Sequence, residues 1–130
     1  MTKKNILIVD DDKDLANSVK AYFEARGYGV RMAHSGDDGM HEIETYRPDL
    51  LLLDIMMDCD ADGFNLAYKL KEDKAYREIP IIILSGYMDH LKDKLKSFEF
   101  VLGRDWPAVE EIKKPASLAN IEAAVERVLA

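Results

Sequence analysis

Three short aliphatic runs, residues 6–9 (ILIV), 50–53 (LLLL) and 81–84 (IIIL), punctuate the chain without any alternation of apolar and polar positions. Runs of this kind, bounded by charge, Pro48 and Pro80, belong to strands buried on both faces. Between them the apolar residues take helical spacing: Leu15, Val19, Tyr22 and Phe23 ahead of an Arg26-Gly27 stop, then Met40 and Ile43 behind a Ser35-x-x-Asp38 cap signal. Residues 29–34 (GVRMAH) have room only for a strand. Further along, Leu66 and Leu70, then Leu91, Leu95 and Phe98, and finally Ile121, Ala124, Val125, Val128 and Leu129 behind Ser117 predict three more helices, with a weaker strand near 109–112. Five strands alternating with five helices predict right-handed crossovers and a doubly wound α/β sandwich. The expected sheet is five-stranded and parallel, in the flavodoxin-like order 2-1-3-4-5, with ligands beyond the carboxyl ends of strands 1 and 3, where the order reverses.

Length and composition narrow this without altering it. A chain of 130 residues suits one domain, residues 1–130, with no output module attached. A hydrophobic share of 48% beside 33% charged residues is that of a globular protein, and no repeat or low-complexity tract interrupts it. The aliphatic runs fall far short of the ~20 residues a membrane span needs, and three aspartates follow the first of them before any signal-peptide core could form. A cytoplasmic protein without membrane insertion is the expectation, and the lone Cys59, unable to form an internal disulfide, agrees with it. A net charge of −7 and the lack of any basic run argue against nucleic acid as a partner.

The strand ends carry the chemistry. Strand 1 ends in Asp10 and Asp11, strand 3 in Asp54, strand 4 in Ser85 and strand 5 in Lys113-Lys114-Pro115. Three carboxylates brought to one switch point repel one another unless a cation lies among them, and a hard divalent ion that keeps some waters, Mg²⁺ with Mn²⁺ as the alternative, suits oxygen ligands. A carboxylate so placed can attack phosphorus, the metal neutralising and orienting the incoming group. Ser85 can hydrogen-bond one phosphoryl oxygen and a lysine can pair with another.

Two other readings compete for the same residues. Asp58, Asp60, Asp62 and Gly63 fill positions one, three, five and six of a calcium-binding EF-hand loop, but position twelve, which should be a bidentate Glu, is Lys69. An aspartyl-phosphate phosphatase of the haloacid-dehalogenase type wants a second Asp two residues after the nucleophile, where Met56 stands. Asp12 reads as a helix-start charge. His34, His41 and His90 lack ligand spacing, so surface or helix-face positions are expected of them.

Taken together, "ILIVDDD", "PDLLLLDIMM…DG", "IPIIILSG" and "KKP" resemble the receiver domain of two-component response regulators across essentially the whole chain. The resemblance implies that a histidine kinase, or a phosphotransfer protein carrying phosphohistidine, phosphorylates Asp54. It implies Asp10, Asp11, Asp54 and the main-chain carbonyl of Met56 as metal ligands. Ser85 is then the hydroxyl that moves toward the phosphoryl group and Lys114, before Pro115, its cationic partner. Signalling is expected through protein contact by the fourth predicted helix, the fifth strand and the last helix, toward an unidentified output protein. The alternative is a pseudo-receiver acting as a phosphorylation-independent scaffold. Three departures from the family pattern bear on that choice. The loop at 57–63 lacks the usual proline and is one residue longer; the stretch over 98–112, with Trp106, is extended; and Glu111 stands three before the signature lysine, where an aromatic switch residue is common.

Overall fold

The computed structural model describes residues 3–54, 62–85, 110–113 and 117–129. In chain order they form β1 (Asn5–Val9), α1 (Lys13–Glu24), β2 (Gly29–Ala33), α2 (Gly36–Thr45), β3 (Leu50–Asp54), α3 (Asp62–Glu72), β4 (Ile81–Ser85), β5 (Glu110–Lys113) and α4 (Leu118–Leu129). All strand pairs are parallel, in the order β2-β1-β3-β4-β5. The helix predicted around Leu91, Leu95 and Phe98 lies outside the described residues. β5 is offset from the expected 109–112, because its register is set by pairing with β4, from Ile82 opposite Glu110 to Ser85 opposite Lys113, and not by its own weak apolar pattern.

The absence of alternation in the aliphatic runs has a direct cause. Successive strand residues point to opposite faces, and both faces are covered. Leu7, Val9, Leu51, Leu53, Ile81 and Ile83 pack with Ile43, Leu66 and Leu70 of α2 and α3. Ile6, Ile8, Leu50, Leu52, Ile82 and Leu84 pack with Ala16, Val19 and Phe23 of α1 and with Ile121, Ala124 and Val125 of α4. Tyr68, which the helical spacing did not single out, is also buried in the first of these layers.

The helix starts follow their capping chemistry. Asp12 accepts from the Leu15 N–H, Ser35 from the Asp38 N–H and Ser117 from the Asn120 N–H, each at 3.1 Å, which satisfies one otherwise orphaned donor per helix. Past the end of α1 the chain turns at Gly27, whose φ of 92° is in the left-handed region that glycine enters without strain. On the outer side of α1, the Tyr22 hydroxyl donates to Glu122 of α4 at 2.8 Å, and Arg26 pairs with the same carboxylate at 2.5 Å. The hydrogen bond to Glu122 pushes the Tyr22 phenol above its ordinary value.

α2 sits close enough to β1 that Gly39 has no room for a side chain. A Cβ there would lie 2.9 Å from Val9 Cγ2 and 3.2 Å from Leu66 Cδ2. Gly39→Val is expected to destabilise the fold by about 1–3 kcal/mol through overpacking, read as a lower denaturation midpoint at unchanged m-value. An unchanged midpoint would show that α2 shifts freely over β1. Val9 directly precedes Asp10, so the same contact seats the strand end that carries the acidic site.

Candidate functional site

Asp10 follows the last residue of β1, Asp54 is the last residue of β3, and these strands are neighbours in the sheet. The parallel register therefore brings their ends together. One carboxylate oxygen from each of Asp10, Asp11 and Asp54 lies within 4.8 Å of the others. Asp10 is completely buried and Asp54 is 3% exposed, while Asp11 is half-buried. Asp10 and Asp54 are the charged residues in the otherwise apolar buried set among the described residues.

Two unit charges about 5 Å apart repel by roughly 3 kcal/mol at an effective dielectric of ~20. Concentrating three carboxylates at a buried strand end therefore favours a site where cationic charge is brought in. The donor set is all oxygen and all carboxylate, the chemistry hard divalent cations take. Ca²⁺ draws six to eight oxygens at about 2.3–2.6 Å, whereas Mg²⁺ keeps several waters and uses few carboxylates. Three converging carboxylates fit the second pattern, so the cluster could hold such an ion.

Asp10 is further fixed through its main chain and carboxylate. Its N–H donates to the Ala33 carbonyl at 3.0 Å, extending the β1–β2 ladder by one step. Its Oδ1 accepts from the Asp12 N–H at 2.9 Å, the short-range turn typical of aspartate. Its carbonyl oxygen lies 3.0 Å from Nδ1 of His34, a half-buried residue just after β2. Sequence reasoning placed His34 on the surface or a helix face; its contact with Asp10 depends on strand register, which ligand spacing along the chain does not reveal. Asp12 caps α1 as expected, with its side chain turned to the helix start.

Ser85 is the last residue of β4, one step past the Asp54–Leu84 pair and opposite Lys113 in β5. Its side chain lies outside the described part of the molecule, as do Met56, Lys114, Pro115 and most of the 57–63 loop. Of the three departures in sequence, the 57–63 loop is described only at Asp62 and Gly63 and the 98–112 stretch only at 110–112, where Glu111 pairs with Ile83. Asp62 and Gly63 already belong to α3. They would be positions five and six of a calcium loop, the place of its sharp turn, so the helix is incompatible with that reading. No helix among the described residues is long and apolar enough to cross a membrane.

Comparison with known proteins gives one consistent match. The family model for the response regulator receiver domain covers residues 6–126. The alkaline phosphatase synthesis transcriptional regulatory protein PhoP of Bacillus subtilis is 31% identical over 126 residues, which are 97% of this chain and 48% of that protein. The chain spans about half the length of the curated relatives it matches. Among solved structures, a putative response regulator from Chloroflexus aurantiacus superposes with a TM-score of 0.82 at 26% identity over 98% of both chains. The receiver domain of a signal transduction histidine kinase from Syntrophus aciditrophicus gives 0.81 at 30% identity, over 97% of this chain and 89% of that one.

Proposed function

The chain belongs to the response regulator receiver domains of two-component signal transduction, and from that premise we propose that Asp54 accepts a phosphoryl group from the phosphohistidine of a histidine kinase or phosphotransfer protein. The observation that carries the reading is the burial of Asp54 at the end of β3, inside the same 4.8 Å cluster as Asp10 and Asp11. A nearly buried carboxylate needs a reason to stay ionised, and a cation held by this trio supplies one.

In the transfer, an Asp54 carboxylate oxygen forms the new O–P bond while the P–N bond to the donor imidazole breaks, the electron pair leaving with the imidazole nitrogen. Asp10, Asp11, Asp54 and the Met56 carbonyl would hold Mg²⁺, or Mn²⁺ in its place. When bound, the ion neutralises charge on the transferring group and orients it for in-line displacement. Ser85 donates to one phosphoryl oxygen and Lys114 pairs with another. The family is one of signalling domains, and the chain's own chemistry is to take up and lose this group. Residues 1–130 act as one phosphoacceptor unit in the cytoplasm. Phosphorylation biases two arrangements of β5, α4 and the segment between β4 and β5, and the favoured face contacts an output protein.

The test is intact mass after incubation with acetyl phosphate, a small donor whose acetate leaves as the imidazole would. One phosphoryl adduct is expected in Mg²⁺ and none in excess chelator. An adduct indifferent to chelation contradicts the metal-assisted reaction. Complete lack of an adduct from both acetyl phosphate and phosphohistidine donors, with no detectable Mg²⁺ binding, moves the assignment to a phosphorylation-independent scaffold.

A further inference from the structure

Val9 and Ala33 form the last register pair of β1 and β2. One residue later, the Asp10 N–H still reaches the Ala33 carbonyl. In a continuing parallel ladder, the next donor to the Asp10 carbonyl would be a main-chain amide of the neighbouring strand. Here the chain leaves β2 at Ala33 and turns through Ser35, the N-cap of α2. At that place the His34 ring puts Nδ1 3.0 Å from the Asp10 carbonyl oxygen. A carbonyl can only accept, so a hydrogen bond here requires the hydrogen on Nδ1.

The carbonyl concerned belongs to the peptide unit that joins Asp10 to Asp11. Fixing its orientation constrains ψ of Asp10 and φ of Asp11 together, and both residues contribute a carboxylate to the trio with Asp54. An uncompensated change in either torsion would move the Asp11 carboxylate relative to those of Asp10 and Asp54. The Ala33 carbonyl holds the amide on the preceding side, the Asp12 N–H closes a turn from the Asp10 carboxylate around the Asp10–Asp11 peptide, and His34 adds a hold on the carbonyl itself. We infer that His34 is a positioning residue of the acidic pocket, its Nδ1–H locking the Asp10–Asp11 peptide so that both side chains face one cation. This rests on the Mg²⁺ reading of the preceding subsection. The role needs a donor three bonds from Cα, which asparagine supplies through Nδ2 and glutamine, one methylene longer, places further out.

Two measurements test it. A long-range ¹H–¹⁵N spectrum of the metal-free protein, at a pH where the imidazole is neutral, is expected to show the Nδ1–H tautomer for His34; the Nε2–H tautomer overturns the inference. Calorimetric Mg²⁺ titration is expected to show binding weakened about tenfold in His34→Leu and similarly in His34→Gln, the lower end of what removing a group that orients a ligand from behind costs. His34→Asn is expected to stay within about twofold of wild type, a rescue that separates donation from mere space filling. Folding is checked by thermal midpoints of the same metal-free variants. Equal affinity in all variants, or equal weakening by Leu and Asn, overturns the positioning role while leaving Mg²⁺ binding intact. No Mg²⁺ binding by the wild type overturns both.

Discussion

Asp54→Asn is expected to abolish the phosphoryl adduct, leaving no mass gain with acetyl phosphate and Mg²⁺ under conditions where the wild type gains one group. The amide is nearly the same size, so the end of β3 keeps its packing, but its oxygen carries no negative charge and is a poor nucleophile toward phosphorus. Asp10 and Asp11 remain, and they are close enough to Asp54 to serve as an internal control for chemistry by proximity alone. If either were the acceptor, the adduct would survive. Persistence of a hydroxylamine-labile adduct in Asp54→Asn would therefore refute Asp54 as the phosphoacceptor, and peptide mapping would locate the replacement. The substitution also removes one of three mutually repelling carboxylates, so Mg²⁺ affinity is expected to fall while the thermal midpoint of the metal-free fold rises. A variant that fails to fold would be distinguished by loss of its far-ultraviolet circular dichroism.

The elements most legible in the sequence are those whose signal comes from burial on both sides. "LLLL" at 50–53 can only be a strand between two covered faces, and it is found as β3 with every residue enclosed. Caps were equally readable, because Ser35 and Ser117 act on amides three residues away and need no tertiary context. Asp10, Asp11 and Asp54 were readable as a cluster once strand order was inferred, since the parallel register carries the ends of β1 and β3 to one edge. β5 was harder. Its sequence, Glu110-Glu111-Ile112-Lys113, has one apolar residue, and its bounds come from what β4 offers in register. His34 was missed for a related reason. Its partner is a main-chain carbonyl 24 positions away, and a contact with a backbone atom leaves no residue-type signature at the partner's position.

Phe23→Ala is expected to lower stability by about 3–5 kcal/mol, the range for emptying an aromatic core position. Phe23 is fully buried and belongs to the layer joining α1 and α4 to β1, β3 and β4. Its ring meets Tyr22 edge-on, with centroids 5.5 Å apart and planes at 70°, and Tyr28 at 5.4 Å and 78°. Contacts of this geometry add about 0.5–1.5 kcal/mol beyond area burial. A domain stable by about 5–15 kcal/mol would be left near the margin, which chemical denaturation would show as a lower midpoint. A loss below about 1 kcal/mol would mean that the layer collapses into the space, contrary to close packing between α1 and the sheet. The same variant couples the core to the site. A ligand that binds only the folded state stabilises it by about 2.7 kcal/mol at a hundredfold excess over its dissociation constant. Mg²⁺ should therefore restore roughly half or more of what Phe23→Ala loses, whereas Phe23→Ala combined with Asp54→Asn should recover much less. Recovery that is equal in the two would mean that the ion acts away from the trio of aspartates, since α1 packs on the sheet some distance in sequence from Asp54 and the ion can reach the fold's stability only through the residues that hold it.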